Sequence, residues 1–152
     1  MLTVAGARVT DRKIVEKLIA EYHVSEQIVP NKKRIAWAVD QQLSGKSEGL
    51  LLVAREDRST VGVALAVFTP SAELGRVLTV NDFFVSPEKR RRGAGRKLAL
   101  YLVMKCRQKR VDEIVLEVLH DNLTAAKFWC AMGFERSDRF LFRQKLRKTF
   151  YD

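Results

Sequence analysis

The stretch Val85-Ser86-Pro87-Glu88-Lys89-Arg90-Arg91-Arg92-Gly93-Ala94-Gly95-Arg96-Lys97-Leu98 constrains this chain more than any other part of it. The apolar run that ends at Val85 reads as a strand, and an amphipathic helical pattern continues from the turn to about residue 110. Gly93 and Gly95 allow a tight turn whose N–H groups can approach an anion closely. The helix that follows aims the positive end of its dipole at the same point. Strand, RxxGxG turn and helix in this order therefore predict a phosphate-holding turn. Read without a ligand, the same residues make a solvated basic turn closed by glycine.

The formal net charge is +10, and its distribution decides what it means. Ten basic residues and one acid lie within residues 87–110, so +9 of the +10 belongs to the turn and its helix. That concentration fits a local phosphate-bearing ligand better than a basic coat for nucleic acid, which is not the expected partner. No apolar run approaches the roughly 20 residues that span a bilayer. The first six residues lack the charged and apolar regions of a leader, so a cytoplasmic location without membrane contact is expected. Cys106 and Cys130 fall inside helical patterns, away from metal-ligand spacing, which predicts free thiols and no metal site. The 152 residues suit a single domain over 1–152.

In chain order, a strand is predicted over residues 5–9, and Thr10 or Asp11 caps a helix carrying Ile14, Val15, Leu18 and Ile19. That helix ends near Tyr22-His23, and a second starts at Pro30, with Ile35, Ala36, Val39 and Leu43 on one face. Residues 49–55 and 61–69 read as a hairpin, followed by a buried strand over 77–85. On that strand Leu78, Val80, Asp82 and Phe84 are expected to share one face, because side chains alternate along a strand. A strand over 112–119 returns parallel after a right-handed crossover. A helix over 122–132 stops at Gly133, and two closing strands follow from Phe134, the clearer over 140–146. The last five residues are expected to fray.

A second stretch joins the first: Asn122, Ala125 or Ala126, the pair Phe128-Trp129, and Gly133-Phe134. Together they resemble the GNAT superfamily of acyl-CoA-dependent N-acetyltransferases. The family's cofactor signature, (Q/R)xxGx(G/A), is matched by Arg90, Gly93 and Gly95. The resemblance implies an α/β (α+β) fold: a mixed, mostly antiparallel sheet with a central splayed parallel strand pair and helices on both faces. It implies acetyl-CoA as acyl donor, with the backbone of Arg90, Arg91, Arg92, Gly93, Ala94, Gly95 and Arg96 around the pyrophosphate. Pantetheine is expected along Phe83, Phe84 and Val85, with the Val85 amide polarising the thioester carbonyl. Asn122, Ala125, Phe128 and Trp129 are expected on its other side.

The implied reaction is direct attack by a primary amine, of a small molecule or a peptide, in a ternary complex. With a pKa near ~10.4 such an amine is cationic at neutral pH, so a base must take a proton. Asp82 is the candidate, standing where some polyamine-type members carry an acidic pair; here the pair is Asn81-Asp82. Glu117 is a secondary candidate. Many members place a tyrosine where Trp129 stands, and an indole cannot serve as the acid for the leaving thiolate. Cys130 points about 100 degrees away on an ideal helix and is a poor replacement. Trp129 is read as a wall of the pantetheine channel, with simple core packing as the alternative, and His120 as a loop-packing residue, with a proton relay as the alternative. His23, Tyr22 and Trp37 are expected beside the acceptor cleft, Trp37 in ordinary packing. In this family the final strands often mediate dimers, so with the aromatic tail they leave a homodimer open beside a monomer. The alternative reading is a non-catalytic GNAT-like module that binds coenzyme A or nucleic acid.

Overall fold

A computed structural model describes residues 1–147, with Met1–Glu117 forming one unit and residues from Val118 onward a second. Among the described residues, all the strands belong to the first unit. Its sheet runs β1 (Leu2–Gly6), β2 (Gly49–Glu56), β3 (Ser59–Ser71), β4 (Gly75–Val85), β5 (Glu113–Leu116), in that order. Neighbours are antiparallel except β4 and β5, which are parallel. Helices α1 (Arg12–Ser25), α2 (Lys32–Leu43) and α3 (Ala94–Gln108) complete the unit.

Alternation along β2 and β3 splits the core into two layers. Leu51, Val53, Val63 and Leu65 pack with Val15, Leu18 and Ile19 of α1 and Ile35 and Val39 of α2. The intervening Leu50, Leu52, Ala64 and Ala66 pack with Leu98, Leu102 and Cys106 of α3. A strand apolar on both faces needs cover on both sides, and the helices supply it. Helices on both faces of a mixed sheet is the expected class.

β4 departs from simple alternation. Leu65 lies opposite Asp82 and Ala66 opposite Val80, so Asn81 is an extra residue in the ladder. One inserted residue reverses which face the following side chains take. Leu78 and Val80 accordingly face α3, whereas Asp82 and Phe84 lie opposite Leu65 and Val63 on the α1 and α2 side. The expectation that these four residues share one face is therefore corrected. The partner ladder also ends early: β5 pairs only Val77–Val80, and β4 continues to Val85 without it.

β1 lies at Leu2–Gly6 rather than 5–9 because Asp11 pulls the next residues into a turn. Its carboxylate accepts the Arg8 N–H at 2.7 Å and Arg55 Nη2 at 2.7 Å, holding a 3₁₀ turn at Val9–Asp11 ahead of α1. Burial works against the charge on Asp11. The Arg55 side chain and the Arg8 amide outweigh it, and the carboxyl is held below its ordinary value of 3.8.

In the second unit, α4 (Leu123–Ala131) starts where Asn122 Oδ1 accepts the Ala125 N–H at 3.1 Å. It ends at Gly133, whose φ of +94° suits a residue without a Cβ. No strand forms among the described residues after Phe134, which corrects the two closing strands predicted there. Phe140, Phe142 and Leu146 are about nine-tenths exposed. Strand propensity without a pairing neighbour leaves backbone groups to water and does not hold a strand. The expected fraying and the aromatic tail concern residues 148–152, outside the described residues.

Arg55→Ala should lower unfolding stability by about 2–3 kcal/mol, because it leaves a buried carboxylate short of a charged donor. This contribution is complete above the unfolded carboxyl value of 3.8 and disappears as pH falls through the lower folded value. Urea melts of both proteins at pH 7 and near pH 2.5 check this: the gap between them should shrink in acid.

Candidate active site

The basic turn opens with a 3₁₀ segment, Pro87–Lys89, and reaches α3 through two left-handed residues, Arg91 at φ +63° and Gly93 at φ +88°. The first α3 amide bound within the backbone is that of Lys97, to the Gly93 carbonyl at 2.9 Å. No side chain caps the helix, so the N–H groups of Ala94, Gly95 and Arg96 meet no backbone or capping acceptor among the described residues. Uncapped amides and the helix dipole make this a place where an anion is stabilised.

The arginines divide by role. Arg90 folds back, Nε donating to the Val85 carbonyl at 2.9 Å and the guanidinium lying 5.3 Å from the Phe84 ring centroid. It braces the junction between strand and turn. Glu56 holds Arg92 Nη1 at 3.0 Å and Lys89 Nζ at 3.9 Å. Arg91 and Arg96 are exposed and form no ion pair among the described residues.

Beside the turn, the antiparallel ladder fixes where the end of β4 directs its amides. Ser86 N–H donates to Val61 O at 2.8 Å, and Val85 stands opposite Gly62. Bonded and non-bonded pairs alternate in such a ladder, so the Val85 N–H points away from β3. That is the side on which the β5 ladder has already stopped at Val80.

The reversed parity after Asn81 brings Asp82 to α1. Asp82 Oδ1 lies 2.7 Å from His23 Nε2, joining residues 59 apart in sequence. The Asp82 side chain is 11% exposed and that of His23 23%. The Tyr22 ring packs tilted against His23 at 5.8 Å and Phe84 at 6.0 Å. Burial, with added repulsion from Glu26, Asp82 and Glu117, pushes the Tyr22 hydroxyl far above its ordinary range, so it stays a proton donor, to Glu26 Oε1 at 3.2 Å. Trp37, expected in ordinary packing, is 53% exposed on α2. The pairing of His23 with Asp82 was not predicted. Asn81-Asp82, two poor strand formers inside an apolar strand, was the sequence signal that the ladder breaks there.

In the second unit Trp129 is buried in edge-to-face contact with Phe128 and Phe134, each ring pair 5.0 Å apart. Asn122 spends its carbonyl oxygen on the α4 cap, with Ala125 supplying the amide. His120 is exposed in a turn. Both cysteines are free; burial pushes the Cys106 thiol up to about 11, and Cys130 is exposed. Among the described residues no group of three or more His, Cys, Asp or Glu is arranged to hold a metal ion. No helix among them is long and apolar enough to cross a membrane.

Known structures share this fold. An integron cassette protein, HFX_CASS3, from the mobile metagenome of Cole Harbour Salt Marsh is similar at 23% identity, covering 98% of this chain and 93% of that one with a TM-score of 0.84. A predicted acetyltransferase from Clostridium acetobutylicum, solved with acetyl-CoA, is 18% identical over 95% of this chain and 96% of that one, TM-score 0.79. The aminoglycoside N-acetyltransferase AAC(6')-Iy, in complex with CoA, is 18% identical over 97% and 96%, TM-score 0.80. No curated protein sequence matches the chain significantly. The acetyltransferase (GNAT) family model matches residues 12–134, spanning the basic turn, the end of β4 and α4. The chain belongs to the GNAT family of acetyltransferases.

Proposed function

We propose that this protein moves an acetyl group from acetyl-CoA to a primary amine by direct attack within a ternary complex. The observation that carries the reading is the pairing of two unused sets of donors: the uncapped amides of Ala94, Gly95 and Arg96, and the Val85 N–H directed to the ladder-free side of β4. In this reading the turn from Arg90 to Arg96 holds the pyrophosphate. Arg91 and Arg96 add charge, and Arg90 keeps the turn seated on Val85 and Phe84. Pantetheine lies along Phe83, Phe84 and Val85, and the Val85 amide stabilises the developing oxyanion. Asp82 supplies the negative charge that the departing amine proton requires. The roles of Asn122, Ala125, Phe128 and Trp129 as cofactor contacts rest on the second motif alone. With tryptophan at 129, the thiolate leaves and takes its proton from solvent.

Acetyl-CoA turnover with polyamines, amino acids, aminoglycosides and peptide N-termini tests the reading, alongside calorimetry with coenzyme A. Turnover with at least one amine class is expected; no turnover together with no coenzyme binding overturns it, and binding without turnover favours the non-catalytic module. Asp82→Asn should lower kcat about 10²-fold or more while coenzyme affinity stays within a factor of about two. Equal kcat in the two proteins removes Asp82 from the chemistry.

Backbone and charge in the turn separate cleanly. Gly93→Ala should cost about 1 kcal/mol of stability, because an alanine Cβ resists the left-handed conformation. Arg91→Ala should leave stability within about 0.5 kcal/mol yet weaken coenzyme A roughly tenfold, with the loss shrinking in salt. Thermal melts without ligand and calorimetric titrations at two ionic strengths check both.

A further inference from the structure

The strand bulge at Asn81 turns the Asp82 carboxylate onto α1, where its one described hydrogen-bond partner is His23. We propose that His23 is the group that takes the proton from the attacking amine, and that Asp82 is a positioning residue acting through it. This rests on the acetyl-transfer reading above and changes which atom of the site meets the substrate.

Three observations carry it. A proton acceptor has to come within hydrogen-bond reach of the amine. Of the two side chains the imidazole is the more open, 23% exposed against 11% for Asp82. The carboxylate is already committed, its Oδ1 2.7 Å from His23 Nε2. An ionised carboxylate only accepts hydrogen bonds, so Nε2 carries the hydrogen of this contact, and in the neutral imidazole the lone pair is then on Nδ1. Nδ1 makes no hydrogen bond to any described residue. The ring is also fixed from the side, tilted 52° against Tyr22, which in turn packs on Phe84, the residue before Val85.

The surroundings are anionic. On α1 stand Tyr22 and, bonded to its hydroxyl, Glu26; on β4 stands Asp82; after β5, Glu117 acts on the same tyrosine. Arg90 lies on the Phe84 ring and is occupied by the Val85 carbonyl. A buried carboxylate beside the imidazole stabilises the imidazolium as it forms.

The step balances without a co-reactant. The amine reacts as its neutral form, its ammonium proton having passed to solvent; its nitrogen bonds to the thioester carbonyl carbon, and the Val85 N–H holds the oxyanion. The nitrogen gives one proton to His23 Nδ1, the carbon–sulfur bond breaks with its electron pair on sulfur, and the amide is released. The thiolate takes a proton from solvent, and imidazolium returns its own.

The chain has two histidines, so nitrogen-15 NMR of histidine-labelled full-length protein, assigned with His120→Gln, reads His23 directly. The Nε2–H tautomer is expected at neutral pH, and Asp82→Asn should erase that preference; an Nδ1–H tautomer in wild type overturns the proposal. In turnover, His23→Gln should lower kcat by about 10²- to 10⁴-fold with coenzyme affinity unchanged. The acid limb of the wild-type kcat profile, measured at saturating amine, should vanish with it. His23→Gln combined with Asp82→Asn should be no slower than His23→Gln alone, since two residues acting as one unit are not additive. Added imidazole should restore part of the rate to His23→Ala, a readout that a loss of packing would not produce. Wild-type kcat or an intact acid limb in His23→Gln overturns the proposal. Failure of the wild type to acetylate any amine would instead defeat the acetyl-transfer reading, while the tautomer measurement still decides the pair.

Discussion

One inserted residue in β4 governs the chemistry of the first unit. Up to Val80 the strand is ordinary: Leu78 and Val80 bury against α3, and β5 supplies a parallel ladder. After Asn81 the same strand presents Asp82 to α1 and loses its β5 partner. Both changes happen within a few residues, and each is needed for the other to matter. A strand that kept pairing would have no amide to offer, and one that kept its parity would aim the carboxylate into the apolar layer under α3. There it would meet Leu98 and Leu102 with no hydrogen-bond partner, a cost of several kcal/mol for a charge.

The rest of the unit holds that break in place. The two layers of core on either side of β2 and β3 leave those strands little freedom to slide, since a one-residue slip would turn every apolar side chain to the wrong helix. Asp11 and Arg55 lock the start of α1 to β2, and α1 is the helix that carries Tyr22 and His23. At the far end of β4, Arg90 bonds the last strand carbonyl and covers Phe84, so the turn begins from a fixed point. Glu56 then takes up Lys89 and Arg92. The positive charge concentrated in this stretch is thus partly structural, while Arg91 and Arg96 form no ion pair among the described residues.

Local pattern made much of this legible. α1 and α2 followed from their helical spacing, the hairpin from its two apolar runs, and the turn from glycine and arginine between strand and helix. What escaped were features fixed by a distant partner. Whether Asn81 is an extra residue depends on where β3 lies, and the pairing of His23 with Asp82 joins a helix end to a strand 59 residues on. β1 shifted because a carboxylate at Asp11 found Arg55, a contact no window of sequence contains. Residues 140–146 carry strand propensity, but propensity specifies a strand only when a neighbour accepts its hydrogen bonds, and none does so among the described residues.

The alternating direction of the amides at the end of β4 also leaves a kinetic signature. Phe84 and Ser86 turn their N–H groups into the ladder with β3, whereas Val85 turns its own outward, although all three side chains are buried. Solvent deuterium should therefore enter this short segment unevenly, quickly at one position and slowly at the two beside it, because exchange follows the hydrogen bond rather than the depth of the side chain. A single strand would thus hold two protection classes side by side, with the labile one marking where the sheet has been left unfinished.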